Sequence, residues 1–367
     1  MDVRKTDKRI TTVETLFIVA VLIYALWSMV RIIVSVAPDF MVYYLGVIPQ
    51  NGTQHIVTNL LPPASRLVYW PIVLLPYQWS QALWVFVSIF CLWISIRYTL
   101  HMLGNHARRD AILYMAVAFL SFPTRFTLGM GQVNLIALAL IVVAAFKEKK
   151  HQSLFGGILY GVAILLKPEL ILLYPVFLLT RRWQFCIASI TTIIAAALCS
   201  LIFFERSAYP IFIERMSSLV ATLEGRDIYY NQSLSAMLTR FGLYSGLKFV
   251  YIGLSITILA VSLWFTRYKK IGFPILLWVM LPVFLIIEPI AWQHHLVFLI
   301  PTYLFVWEKY KKFGGAWFYG IFWISYLLVS WNIKNPVYWQ QSPVGALVLS
   351  HGFIGVIVTW VLALISL

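Results

Sequence analysis

The chain has 367 residues, of which 61% are hydrophobic and 11% charged, and its mean hydropathy is +0.85. A water-soluble domain of this length cannot hide so much apolar surface, so the composition excludes a soluble globular protein and fits an all-α polytopic membrane protein. The formal charge of +15 is scattered in short Lys/Arg clusters between apolar runs rather than gathered in one patch, which argues for cytoplasmic loops and against a nucleic-acid partner.

The first apolar run, 15–36, follows a polar amino terminus. It is longer than the apolar core of a secretory signal and Pro38 follows at once, so it reads as an uncleaved first helix. Windows of about 20 residues place further helices at 79–100, 110–123, 132–146, 153–167, 169–180, 183–204, 246–266, 272–288, 293–308, 316–332 and 346–366, for a bundle of about 12. The runs 110–123, 132–146, 153–167 and 169–180 are too short to cross a bilayer alone. They predict helices that stop partway and frame a cavity, tolerated where protein or water covers the broken ends. The stretch 62–76, with Pro62, Pro63 and Arg66, reads as a re-entrant or interfacial segment. Trp27, Trp70, Trp79, Trp183, Trp264, Trp307 and Trp331 fall near the ends of apolar runs, as in an aromatic belt.

With the amino terminus in the cytoplasm, 18 of the 28 Lys and Arg and six of the 13 acids fall on that side, leaving +12 inside against +3 outside. The asymmetry predicts an inner-membrane protein with both termini cytoplasmic. The polar interruptions at Asp39, Gly129–Asn134, Lys167–Glu169, Asn231–Ser233 and Trp292–His295 then all fall at outer helix ends, which suggests one site on the outer face. Two outer loops are long, 37–61 and 205–245. In the second, Phe212, Met216, Leu219, Val220 and Leu223 share one helical face and predict an interfacial helix lying on the outer leaflet. With no internal repeat, the chain reads as a single domain, 1–367. Cys91, Cys186 and Cys199 sit inside apolar runs and suggest no disulfide framework.

Each polar motif admits two readings. Asp39, just after the first helix, is either a general base at a cavity mouth or the cap of a short following helix. Pro168 breaks an apolar run, leaving Lys167 at a helix end, where its three donors suit a phosphate or it snorkels to headgroups. Gly129–Asn134 precedes a helix whose free N–H groups, with Gln132 and Asn134, suit an anion or sugar hydroxyls, or it is a capping turn. Adjacent His294 and His295 point about 100° apart on a helix, so they do not readily share a metal. One facing the cavity as hydrogen-bond partner or acid/base is the sharper reading, two interface histidines the plainer one. Tyr43, Asn231, Trp292 and Arg66 complete the candidate lining. No metal or cofactor motif appears, and the sequons at Asn51 and Asn231 fit glycosylation only as a frequent pattern.

Taken in order, Asp39-Phe-Met-Val-Tyr43, Leu61-Pro-Pro63, Gly131-Gln-Val-Asn134, Leu166-Lys-Pro168, Arg181-Arg-Trp183, Asn231-Gln-Ser-Leu234 and Trp292-Gln-His-His-Leu296 resemble the GT-C membrane glycosyltransferases of family 87, the polyprenyl-phosphate-mannose-dependent α-mannosyltransferase type. The resemblance spans about residues 37–301. It implies transfer of a hexose, mannose for that type, from a polyprenyl-phosphate-sugar donor to a glycolipid or glycan acceptor at the outer face, with inversion and no cofactor. It gives Asp39 the role of general base and Lys167 that of holding the leaving phosphate, while His294 or His295, with Gln132, Asn134 and Asn231, would orient the sugar or phosphate. Arabinofuranosyl transfer by the same mechanism is the alternative within the family. An O-antigen ligase or polymerase and a lipid-linked sugar transporter are the alternatives outside it.

Overall fold

A computed structural model describes residues 11–47, 62–204, 206–222, 225–311, 314–340 and 343–367. The sequon at Asn51, Leu61 of the Leu-Pro-Pro motif and Leu223 lie outside the described residues.

Among the described residues the chain is helical throughout, without a strand. Helix α1 (Thr12–Val34) begins at a capping box, in which the Thr11 hydroxyl accepts from the Glu14 N–H (3.3 Å) while Glu14 accepts from the Thr11 N–H (2.8 Å). Only Val21 of its side chains is buried, so α1 stands at the periphery. Then follow α2 (Pro38–Val47), α3 (Arg66–Val73), α4 (Tyr77–Met102), α5 (Arg108–Leu120), α6 (Phe122–Met130), α7 (Asn134–Lys149), α8 (Ser153–Leu166) and α9 (Tyr174–Leu179). The second half holds α10 (Trp183–Phe203), α11 (Ala208–Thr222), α12 (Leu234–Arg240), α13 (Leu247–Tyr268), α14 (Phe273–Ile287), α15 (Ile300–Tyr310), α16 (Ala316–Ser330), α17 (Pro343–Leu349) and α18 (His351–Ile365). Helices α1, α4, α10 and α13 are long and apolar enough to cross a bilayer, and α5 with α6, bent by 70°, makes a possible fifth crossing. The protein is a membrane protein.

Several boundaries differ from the sequence expectation. The run expected at 110–123 ends at Leu120, where Ser121 turns extended (ψ 141°) and its hydroxyl accepts from the Thr124 N–H. With Pro123 in a first turn that needs no donor from it, this cap starts α6 in a stretch that hydropathy leaves between helices. The runs expected at 169–180 and 293–308 open as 3-10 turns, Pro168–Leu173 and Gln293–Leu299. The run expected at 346–366 is broken at Ser350, between α17 and α18.

Two packing features fix the frame of the site. Helix α14 forms the middle of the bundle, every side chain from Leu276 to Ile287 being buried. Helix α8 lies close against α10 because Gly157 and Gly161 present no side chain there: a Cβ on Gly161 would sit 2.7 Å from the Ser189 carbonyl, and one on Gly157 would overlap that of Phe185. Glycines four apart on one helix face let two backbones approach, the usual device where lipid removes any hydrophobic gain from helix pairing. The end of α8 is thereby held, and Lys167 stands at that end.

Candidate active site

Asp39 is presented by the first turn of α2, whose start is tied to the end of α1 through one buried side chain. The Gln81 amide donates to the Ser35 carbonyl (2.7 Å) and accepts from the Ala37 N–H (3.2 Å). From the other side α2 rests on Gly131, which closes α6 in the left-handed conformation (φ +71°) and touches Phe40 and Ala37 where a side chain would be. The Trp84 indole donates to the Gly131 carbonyl (2.9 Å) and completes the joint. Gln132 follows directly. Its amide donates to Asp39 Oδ2 (2.6 Å), and its oxygen accepts from the Tyr43 hydroxyl (2.7 Å). Burial raises the Asp39 pKa above the ordinary value of 3.8, partly offset by the Gln132 bond. Burial also holds the Tyr43 hydroxyl well above its ordinary range, so it remains a donor.

Lys167 ends α8 in a non-helical conformation (φ −142°, ψ 81°) imposed by the following proline. Its side chain is buried, and Nζ lies 3.3 Å from Glu169, 3.5 Å from Glu288 and 2.7 Å from Nε2 of His295.

The two histidines stand on the 3-10 turn Gln293–Leu299, and their surroundings differ. His295 pairs with Lys167 and with Glu288, whose Oε1 is 2.9 Å from Nδ1. His294 stacks on Trp292 (centroids 6.3 Å apart, planes 8° apart) and meets Phe126 edge-on, and its buried ring nitrogens both lack a partner. The irregular backbone before this turn has carbonyls no helix satisfies, and polar side chains take them up. Asn134 and Thr127 both donate to the His294 carbonyl (3.1 and 3.0 Å). Asn231 bridges to Trp292 through its backbone, and its side-chain oxygen accepts from the Ser233 and Ala291 N–H groups.

These groups meet around a cavity of about 1300 Å³. Asp39, Tyr43, Gln132, Lys167, Trp292, His294 and His295 line it. Asn134 and Asn231 are buried behind it and brace the histidine turn, and Arg66 lies apart, its guanidinium over the Phe204 ring. Sequence reasoning missed Glu288, Tyr230 and Lys248, which also line the cavity. Phe212, Met216 and Leu219 of α11, expected to rest on lipid, cover the cavity from one side. Among the described residues no three His, Cys, Asp or Glu side chains gather as metal ligands would.

A half-buried carboxylate and a buried lysine face one large, mostly apolar cavity in a bundle of membrane helices, an arrangement suited to a membrane-embedded group-transfer enzyme. Residues 59–289 match glycosyltransferase family 87, and the chain belongs to that family. It is 28% identical over 296 residues to a polyprenol-phosphate-mannose-dependent alpha-(1-2)-phosphatidylinositol pentamannoside mannosyltransferase of Mycolicibacterium smegmatis, covering 76% of this chain and 69% of that one. It is 26% identical over 294 residues to the Mycobacterium tuberculosis protein of the same name, covering 76% of this chain and 66% of that one. A phosphatidylinositol mannoside mannosyltransferase of M. tuberculosis matches 53% of the chain at 24% identity. No solved structure matches the chain.

Proposed function

We propose that the protein is an inverting mannosyltransferase that uses a polyprenyl-phosphate-mannose donor and a lipid-anchored glycan acceptor, of the phosphatidylinositol mannoside kind named for its relatives. The observation that carries this reading is that Asp39 and Lys167, 128 residues apart in the chain, line the same cavity. Asp39 takes the proton of the acceptor hydroxyl as that oxygen attacks the anomeric carbon. The bond from that carbon to the phosphate oxygen breaks on the opposite face, and the polyprenyl phosphate leaves with the electron pair. Charge grows on the phosphate, where Lys167 and a histidine edge supply hydrogens, so no covalent intermediate is needed. Burial raises the pKa of Asp39 and makes its carboxylate a better proton acceptor than an exposed aspartate.

The cavity is larger than the roughly 300–1,000 Å³ of an ordinary small-molecule site, which supports two lipid-anchored substrates side by side. Ile171, Ile193 and Ile252 line its apolar part and suit a polyprenyl chain. Trp292, stacked on His294, suits the apolar face of a sugar ring. The apolar runs support about 12 membrane-embedded helices in a single domain, and the lysine and arginine counts support cytoplasmic termini, with the cavity opening outward and α11 at the outer interface.

The test is transfer of radiolabelled mannose from polyprenyl-phosphate-mannose to lipid acceptors by purified protein in liposomes, wild type beside Asp39→Asn. Product from wild type alone supports both donor and base. Product from both variants removes Asp39 from the mechanism, and product from neither, with no donor binding, removes the donor.

A further inference from the structure

Among the described residues two lysines line the cavity, and they are held differently. Lys167 is buried between Glu169, Glu288 and His295. Lys248 is exposed, and no carboxylate of the described residues comes within 4 Å of its ammonium. It stands in the first turn of α13, which no side chain caps. A cation there opposes the helix dipole, whereas Arg267, Lys269 and Lys270 at the other end of α13 stand where the dipole favours them. Lys248 therefore has no local reason for its place.

Its position in the cavity wall supplies one. Lys248, Tyr251 and Ile252 recur at i, i+3 and i+4, so one face of α13 presents all three to the cavity. The Tyr251 hydroxyl donates to the Ile287 carbonyl, beside Glu288, which sets Tyr251 near the level of the Lys167 cluster. Lys248 lies one turn further along, about 4.5 Å of rise, at the end of a 22-residue helix long enough to cross a bilayer. That end falls at the depth of lipid headgroups. Resting on the reading of this cavity as a site for two lipid-anchored substrates, we propose that Lys248 binds the phosphodiester that joins the acceptor's glycan to its lipid, and so selects phosphorylated glycolipids over neutral ones. The donor carries its phosphate at the bond that breaks, where Lys167 serves it. The acceptor carries its own between glycan and acyl chains, so that group stays at headgroup depth while a glycan hydroxyl reaches Asp39. There it meets an unpaired ammonium and the positive end of α13 together.

The test compares two acceptors, a phosphatidylinositol mannoside and an analogue in which a neutral ether replaces the phosphodiester. Full-length protein is assayed in maltoside micelles, which bring no phosphate of their own. Wild type should favour the first acceptor about 2–5-fold in kcat/KM, the scale of one partly exposed charge pair, and the preference should shrink with added salt. Lys248→Gln should bring the ratio close to one, Lys248→Arg should keep it and Lys248→Glu should reverse it, with donor KM in place. Because both acceptors meet the same protein, partial misfolding cancels from the ratio. A ratio unchanged in Lys248→Gln and Lys248→Glu would overturn the proposal, as would an equal rise in donor KM, which would give Lys248 to the donor phosphate instead. Binding of the two acceptors without donor, followed by tryptophan fluorescence, separates the two readings. A Lys248-dependent preference in binding with no transfer from polyprenyl-phosphate-mannose would refute the functional reading and leave the role of Lys248 intact. Transfer by wild type without preference between the acceptors would do the reverse.

Discussion

Gly131→Ala tests how α2 holds the candidate base. The residue occupies φ +71°, and its added Cβ would overlap the Phe40 Cβ and stand 3.1 Å from that of Ala37. The left-handed conformation costs a non-glycine residue about 1–2 kcal/mol and overpacking about 1–3 kcal/mol, for a loss of about 2–5 kcal/mol if α2 stays in place. If α2 yields instead, Asp39 moves with it, and a shift on the order of 1 Å at a reacting group costs about 100-fold in rate. Gly129→Ala is the control, because nothing lies within 4 Å of its Cβ and the residue is helical, so it should be neutral or stabilising by up to about 1 kcal/mol. Thermal unfolding followed by size-exclusion fluorescence, together with the mannose-transfer assay, separates the two routes. A Gly131→Ala protein with wild-type melting and wild-type transfer would refute the claim that α2 is seated on α6, as would equal damage from Gly129→Ala.

Three further expectations bear on the site and its frame. Because the folded state raises the Asp39 pKa, it binds that proton more tightly than the unfolded chain does, so this contribution to stability is present at low pH and lost as pH rises through the folded value. Asp39→Asn should therefore melt at or above wild type at pH 7 and match it in acid, while wild-type transfer rises with pH along its acid limb; a variant less stable at pH 7 would contradict this. Lys167→Met should abolish most transfer, on the order of 100–1,000-fold, and leave Glu169 and Glu288 without the cation they share, with Lys167→Arg a poor substitute beside an imidazole nitrogen 2.7 Å away; both are read by the same assay. Gly161→Val should lower the melting temperature clearly more than Gly161→Ala, since the second-shortest contact of its Cβ, 2.8 Å, is to the Thr192 side chain.

Much of this was legible in residue order. Apolar run length marked α1, α4, α10 and α13, and Pro168 marked the break at which Lys167 ends α8. What the sequence could not convey was which polar groups face the cavity and which face the backbone. Asn134 and Asn231 look like substrate ligands, but the turn from Pro289 to His294 leaves carbonyls and N–H groups that these amides, with the hydroxyls of Thr127, Ser233 and Ser235, take up. Glu288 was passed over because a lone carboxylate at the end of an apolar run resembles a helix terminus. Its partners Lys167 and His295 are brought to it by the packing of α8 and α14, which no local spacing records.

The apolar side of the cavity also bears on how the reaction is counted. Ile171 and Ile252 line the cavity and are themselves 53% and 51% exposed, on flanks that carry other bare aliphatic side chains such as Ile256 of α13. On the proposed function, a lipid-anchored donor reaches such a flank sideways from the bilayer, so the quantity that sets the rate is donor per lipid rather than donor per litre. Diluting a fixed amount of protein and donor into more empty lipid should slow turnover, whereas adding buffer to the same liposomes should leave each vesicle's rate unchanged.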